Sequence, residues 1–182
     1  EAVLCARPSL TVGSVSTWGG TEIFYDAQQV IDAAYKMLQA KGTLSGKNFS
    51  YDLTDFTRQA FTDYANFLLK AINEAATKND TEAYAQRRDA YLQLILDLDE
   101  LLNTNQSFML GRWTNLARGI ADEANGTTES DKRWLELDNA RTLITTWGDR
   151  DAAEYGGLRD YSYREWGGML KDFYYKRWKA FF

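Results

Sequence analysis

The chain contains no histidine. That removes the side chain that most often serves as general base and metal ligand near neutral pH. A single cysteine, Cys5, excludes an internal disulfide. A single proline leaves long helices uninterrupted. No apolar run approaches the roughly 18 residues that a membrane-spanning helix requires. There is no basic run either, and the net charge of −5 argues against nucleic acid or an anionic membrane as partner. No alternating apolar and polar run of useful length occurs, which argues against strands. The opening EAVLCARPSL lacks the charged start of a secretory signal. It begins within a motif, and the chain stops abruptly at Ala-Phe-Phe. Both ends are therefore expected to be cuts within a longer protein, so the missing signal says nothing about secretion.

What is present is apolar surface: 182 residues, 45% hydrophobic, with six tryptophans. A chain of this size can bury a full core as a single domain, 1–182. The periodicity predicts an all-α fold, a bundle of about six helices with antiparallel neighbours and an irregular N-terminal lead-in. The first helix is expected over about Asp26 to Lys41, stopped by Gly42. The second runs from about Tyr51 to Lys78, with Phe56, Ala60, Tyr64, Phe67 and Ala71 among its inward stripe. Asn79-Asp80 breaks it. Asp80 or Thr81 caps a third helix ending near Leu102, with Tyr91, Ile95 and Leu98 inward. A fourth is expected from Ser107 to about Glu123, with Leu116 and Ile120 inward. Thr128 or Ser130 caps a fifth, which ends at Trp147 and carries Leu137, Ala140 and Ile144 on one stripe. Gly148 suits a helix stop. The sixth is expected from Asp160, with Tyr163, Trp166, Leu170 and Phe173 at steps of three and four. The lead-in is expected to run against a neighbouring domain. A domain cut from a larger protein should also expose apolar surface, with Trp18 and the Trp147–Tyr161 region as candidates.

Few residues carry recognisable chemistry. Asp97, Asp99 and Glu100 could form an acid/base pair, but such clusters are more often a solvated face or an anchor for arginines. Arg141 sits on an otherwise apolar helix face, so burial would require a carboxylate, with Asp160 or Glu165 as the expected partner. Trp147 is either core or a platform for the apolar face of a sugar ring. Asp160 is either a helix cap or a polar contact, and the Tyr161 hydroxyl could reach a sugar hydroxyl. The loop between Trp147 and Tyr161 is the candidate wall of a binding pocket.

The same stretches carry a family resemblance. NARTLITTWG at Asn139–Gly148, DYSYREWGG at Asp160–Gly168 and YYKRWKAF at Tyr174–Phe181 resemble the C-terminal helical domain of family 89 glycoside hydrolases, the α-N-acetylglucosaminidases. RPSL at Arg7–Leu10, YDLTDFTRQ at Tyr51–Gln59, DLDELL at Asp97–Leu102 and SFMLGRW at Ser107–Trp113 agree in order. The resemblance covers nearly the whole chain. It implies a domain that packs on a (β/α)₈ catalytic barrel of the same parent chain, beside a pocket for a terminal α-linked N-acetylglucosamine. It implies no cofactor and no metal. It makes Trp147, Asp160 and Tyr161 candidates for substrate contact, with Arg141 and Glu165 as structural support. The family's two catalytic glutamates belong to the barrel, so no catalytic role passes to a residue here. After Asp160-Tyr161 the family usually has Ala-Asn where this chain has Ser162-Tyr163, which leaves the role of that Asn unmatched. The residues alone also fit a different class, a stand-alone helical carbohydrate- or protein-binding module.

Overall fold

Helix boundaries fall where capping residues put them. In the computed structural model, which describes residues 2–16, 19–144 and 163–182, α1 (Ala27–Ala40) starts behind Asp26, whose side chain accepts from the Gln28 N–H at 3.0 Å. α2 (Lys47–Thr77) ends at Asn79, which takes a left-handed φ of 54° and closes the last turn. Asp80 then caps α3 (Thr81–Leu102) through the Ala83 N–H at 3.0 Å. α4 (Leu110–Glu123) follows a short 3₁₀ turn. α5 (Glu129–Ile144) opens with Thr128 and Asp131 capping each other's backbone N–H, at 2.8 and 3.2 Å. The described chain closes with a π-helical turn, Leu170–Tyr174, that runs into α6 (Tyr175–Phe181). Among the described residues there is no strand, only isolated bridges at Ser14–Gly20 and Met109–Gly167. Six α-helices are found among the described residues, in line with the expected all-α bundle.

The core lies between α2, α3 and the C-terminal helix. Ile72 of α2, and Tyr91, Ile95, Leu98 and Leu102 of α3, are fully buried against Leu170, Tyr174 and Trp178. Each such side chain contributes roughly 1.5–3 kcal/mol by leaving water. The first N-terminal residues belong to this core too. Val3, Leu4 and Cys5 are buried in a 3₁₀ turn. Trp178 Nε1 donates to the Leu4 carbonyl at 2.9 Å, and Arg177 Nη2 donates to the carbonyls of Cys5 and Ala6 at 2.6 and 2.7 Å.

Three helical stripes depart from expectation. On α2, Phe56, Tyr64 and Phe67 face outward, while Thr62, Asp63 and Asn66 are buried. Two stripes coexist on that long helix, and the polar one faces inward because it lines a cleft. On α4 and α5, Leu116, Ile120, Trp134 and Leu137 are exposed, and α5 has no buried residue at all. The seam between these helices is ionic instead. Arg118 meets Glu129 at 2.5 Å and Glu136 at 3.3 Å, and Lys132 meets Asp122 at 2.6 Å.

The sixth helix begins about ten residues later than the periodicity suggests. Residues 163–166 are not helical, since Gly167 is bound as a strand would be. Its N–H donates to the Phe108 carbonyl at 2.8 Å, and its carbonyl accepts from the Leu110 N–H at 3.1 Å. Gly168 then takes a φ of 91°, open to glycine and strained for other residues.

Candidate functional site

The extended Tyr163–Trp166 segment, α2 and the lead-in near Tyr25 enclose a cleft of about 620 Å³. α2 supplies one wall because Arg58, Gln59, Thr62, Asp63 and Asn66 fall on neighbouring turns of one face. Asp63 is buried and holds the lead-in. The Tyr25 hydroxyl donates to its two oxygens at 2.9 and 3.0 Å, and Gln59 Nε2 donates to its Oδ1 at 2.9 Å. Burial and the Asp63 carboxylate raise the Tyr25 hydroxyl above its ordinary range, so it stays a donor.

Glu165 forms the opposite wall. It is buried and accepts from Arg58 Nη1 and from the Thr62 hydroxyl, across 107 and 103 residues of sequence. Burial pushes its carboxyl above the usual carboxylate range, against the pull of Arg58 and Thr62. Burial also opposes the charge on Arg58, but Glu165 and Asp55 outweigh it and raise the guanidinium further. The Trp166 ring is held by two neighbours. Trp113 stacks on it at 5.4 Å between centroids, and the Arg164 guanidinium lies over it at 5.2 Å. Tyr163 holds a left-handed φ of 29° at the cleft wall, a strained backbone of the kind concentrated at functional sites.

Over residues 1–182 the sequence matches the family described as the alpha-N-acetylglucosaminidase (NAGLU) C-terminal domain. The chain belongs to this family. Human alpha-N-acetylglucosaminidase is 28% identical over 181 residues, 98% of this chain and 22% of that protein. Among solved structures, a family 89 glycoside hydrolase from Clostridium perfringens in complex with 2-acetamido-1,2-dideoxynojirmycin matches with a TM-score of 0.91 and 31% identity. That match covers 100% of this chain and 20% of the hydrolase. A Clostridium perfringens variant with two Glu→Gln changes, in complex with its substrate GlcNAc-alpha-1,4-galactose, matches with a TM-score of 0.85 and 32% identity, over 98% of this chain and 20% of its own. The chain thus spans about a fifth of the length of these relatives.

Within this NAGLU C-terminal domain the expected site residues separate. Trp147, Asp160 and Tyr161 lie outside the described residues, as does Trp18. Glu165 is buried as a charged support should be, but its partner is Arg58, not Arg141. Arg141 lies on the surface, with its side chain 64% exposed and Nη2 at 2.8 Å from Asp138. The reason is the peripheral position of α5, which has no buried residue and touches the core only through the partly buried Leu143 and Ile144. Asp99 is neither solvated nor an arginine anchor, since it is buried and binds the backbone of the C-terminal segment. The polar run on α2 was the missed signal. Arg58, Gln59, Thr62, Asp63 and Asn66 recur at helical spacing, a pattern equally compatible with a solvated face.

Proposed function

We propose that this chain is the C-terminal helical domain of an exo-acting, retaining α-N-acetylglucosaminidase. It packs on a (β/α)₈ catalytic barrel of the same parent chain and forms part of the wall of a pocket for a terminal α-linked N-acetylglucosamine. The observation that carries this reading is the family match along all 182 residues in a chain one-fifth the length of its relatives. The catalytic carboxylate pair belongs to the remaining part of the parent, where one attacks the anomeric carbon and the other acts as acid and then base. The chemistry of this domain agrees with a supporting role. Asp63 and Glu165 are each held by neighbouring donors, so neither stands free to transfer a proton. Trp147, Asp160 and Tyr161 are the proposed rim contacts. No described helix is long and apolar enough to cross a membrane.

The test compares two proteins on an aryl α-N-acetylglucosaminide. The full-length parent should release product with retention of anomeric configuration, and the 182-residue chain should release none. Turnover by the short chain, or inversion by the parent, overturns the reading. In the parent, Trp147→Ala and Tyr161→Phe should lower kcat/KM while leaving the melting temperature nearly unchanged. Earlier melting with unchanged kcat/KM would make both ordinary core residues.

A further inference from the structure

Asn125 is the one asparagine of the chain that glycine follows. The pair forms the turn between α4 and α5, and both residues are exposed. Gly126 holds a φ of 83°, and a Cβ there would meet no atom within 4 Å, so the backbone has room to bend. The Gly126 N–H makes no hydrogen bond among the described residues. Asn79 is a useful contrast. It too is exposed just past the end of a helix, but the next N–H, that of Asp80, donates to the Ala75 carbonyl at 2.9 Å.

We propose that Asn125 is a site of spontaneous covalent modification, deamidation with isomerisation, and that the change loosens α5 from α4. The Gly126 nitrogen attacks Cγ of Asn125. An N–Cγ bond forms, the Cγ–Nδ2 bond breaks, and ammonia leaves with the Gly126 amide proton. The product is a cyclic imide, which water then opens. Cleavage at Cγ gives aspartate. Cleavage at the backbone carbonyl gives isoaspartate, whose main chain runs through Cγ. Water is the only co-reactant, and nothing is oxidised or reduced. A side chain at position 126 would crowd the attack, and a bonded N–H would first have to be released. The turn presents neither obstacle.

Isoaspartate inserts a methylene into the backbone where its length matters. The Thr127 hydroxyl donates to the Ala121 carbonyl at 2.6 Å and to the Ala124 carbonyl at 3.0 Å, a clasp that spans residues 125 and 126. Thr128 follows at once, exchanging cap hydrogen bonds with Asp131. A longer link moves both threonines out of register with α4. Little else holds α5 in place. It has no buried residue, only Leu143 and Ile144 lie partly buried against the core, and its seam with α4 rests on the ion pairs of Arg118 and Lys132. Exposed ion pairs hold weakly. The added carboxylate is the lesser effect. It lies between the C-terminus of α4 and the N-terminus of α5, whose dipoles act on it in opposite senses.

The test ages the full-length protein in heavy-oxygen water at mildly alkaline pH, so that any carboxyl formed carries the label. Tryptic peptides 119–132 and 79–87 are then weighed, and isoaspartate is scored with an isoaspartate-specific methyltransferase. Label should enter Asn125 at least about tenfold faster than Asn79. Amide hydrogen exchange across residues 127–144 should run at least about tenfold faster in the aged protein than in the fresh one, with α2 and α3 unchanged. The side chain of Asn125→Gln closes its ring far more slowly, so this variant should take up no label and keep α5 protected after the same ageing. Equal labelling of Asn125 and Asn79 overturns the proposal. So does isoaspartate at position 125 with unchanged exchange in α5, or loss of α5 protection in aged Asn125→Gln.

Discussion

Asp99, on α3, accepts the backbone N–H of Gly168 at 2.7 Å across 69 residues of sequence. The same oxygen accepts the Lys171 N–H at 3.0 Å, so a side chain from one helix caps the start of another. Its second oxygen accepts from Asn103 Nδ2 at 2.9 Å. The carboxylate therefore fixes where the final helical segment begins. Asp99→Ala should destabilise the chain by about 2 kcal/mol, the loss of a cap with buried donors left open. Asp99→Asn keeps an acceptor and should lose less. Urea midpoints of both variants at unchanged m-value decide this, and equal midpoints for Asp99→Ala and wild type would refute it.

Gly167 stands against the same group. A Cβ there would sit 2.6 Å from Asn103 Oδ1. Asn103 cannot swing aside freely, since its Nδ2 also donates to the Asp99 carbonyl at 2.8 Å. Gly167→Ala is expected to cost about 1–3 kcal/mol. Combined with Asn103→Ala it should cost less than the two single changes added together, because the clash is then gone. A double-mutant cycle that comes out additive would argue against the contact.

The Arg58–Glu165 pair predicts a pH dependence with a definite sign. Glu165 has a raised folded pKa, so the native state holds its proton more tightly than the unfolded chain does. Its stabilising contribution is fully present below the ordinary value near 4.5 and is lost as pH rises through the raised folded value. Glu165→Gln should therefore gain on the wild type as pH rises through that window. Glu129, Asp122 and Asp131 have lowered values, so their contribution runs the other way and fades as pH falls. Only the difference between variant and wild type isolates Glu165. Arg58→Ala leaves a buried carboxylate unpaired and should cost about 3–5 kcal/mol at neutral pH, less in acid where Glu165 is neutral. A cost for Arg58→Ala that does not depend on pH would contradict this account.

Two tryptophans that look alike in sequence should behave differently. Trp178 is fully buried, rests against Tyr91 at 4.9 Å, and donates to the Leu4 carbonyl. Trp178→Ala should cost about 3–5 kcal/mol. Trp134 is 59% exposed on α5, and Leu137 beside it is 66% exposed. Changing either to Ala should shift the stability of the 182-residue chain by less than about 0.5 kcal/mol. Thermal melts of the three variants provide the comparison.

The helices themselves were legible in the sequence because their signals are local. Asp26, Asp80 and Thr128 cap helices through groups two or three residues away. The inward face of α3 was equally plain, since Tyr91, Ile95, Leu98 and Leu102 fit a single stripe. Features that depend on distant partners were not. Nothing near Glu165 in sequence announces Arg58, and nothing near Asp99 announces Gly168. The period-matched run through Tyr163, Trp166 and Leu170 was misleading for the same reason. Its backbone is held by Phe108 and Leu110, outside any local pattern. The cleft was hidden because polar residues at helical spacing look the same whether they face water or line a concave wall. On α4 and α5 the apolar periodicity is only partly used: Leu110, Trp113 and Ile144 pack on the core, while Leu116, Ile120 and Leu137 stay exposed and the helices join through Arg118 and Lys132.

The contact between Leu4 and Trp178 has a consequence for how the chain is made. It joins residues 174 apart, so the core wall formed by Val3, Leu4 and Cys5 has no lid until the last helix exists. During synthesis, α1 to α5 can leave the ribosome and pair through short turns while that wall stays open. Loop closure across so long a separation is slow, and apolar surface exposed meanwhile favours association between nascent chains. The domain thus acquires its cooperativity late and all at once, when Trp178 arrives. A translation stop before Trp178 would release a chain with most of its helices and little of its stability.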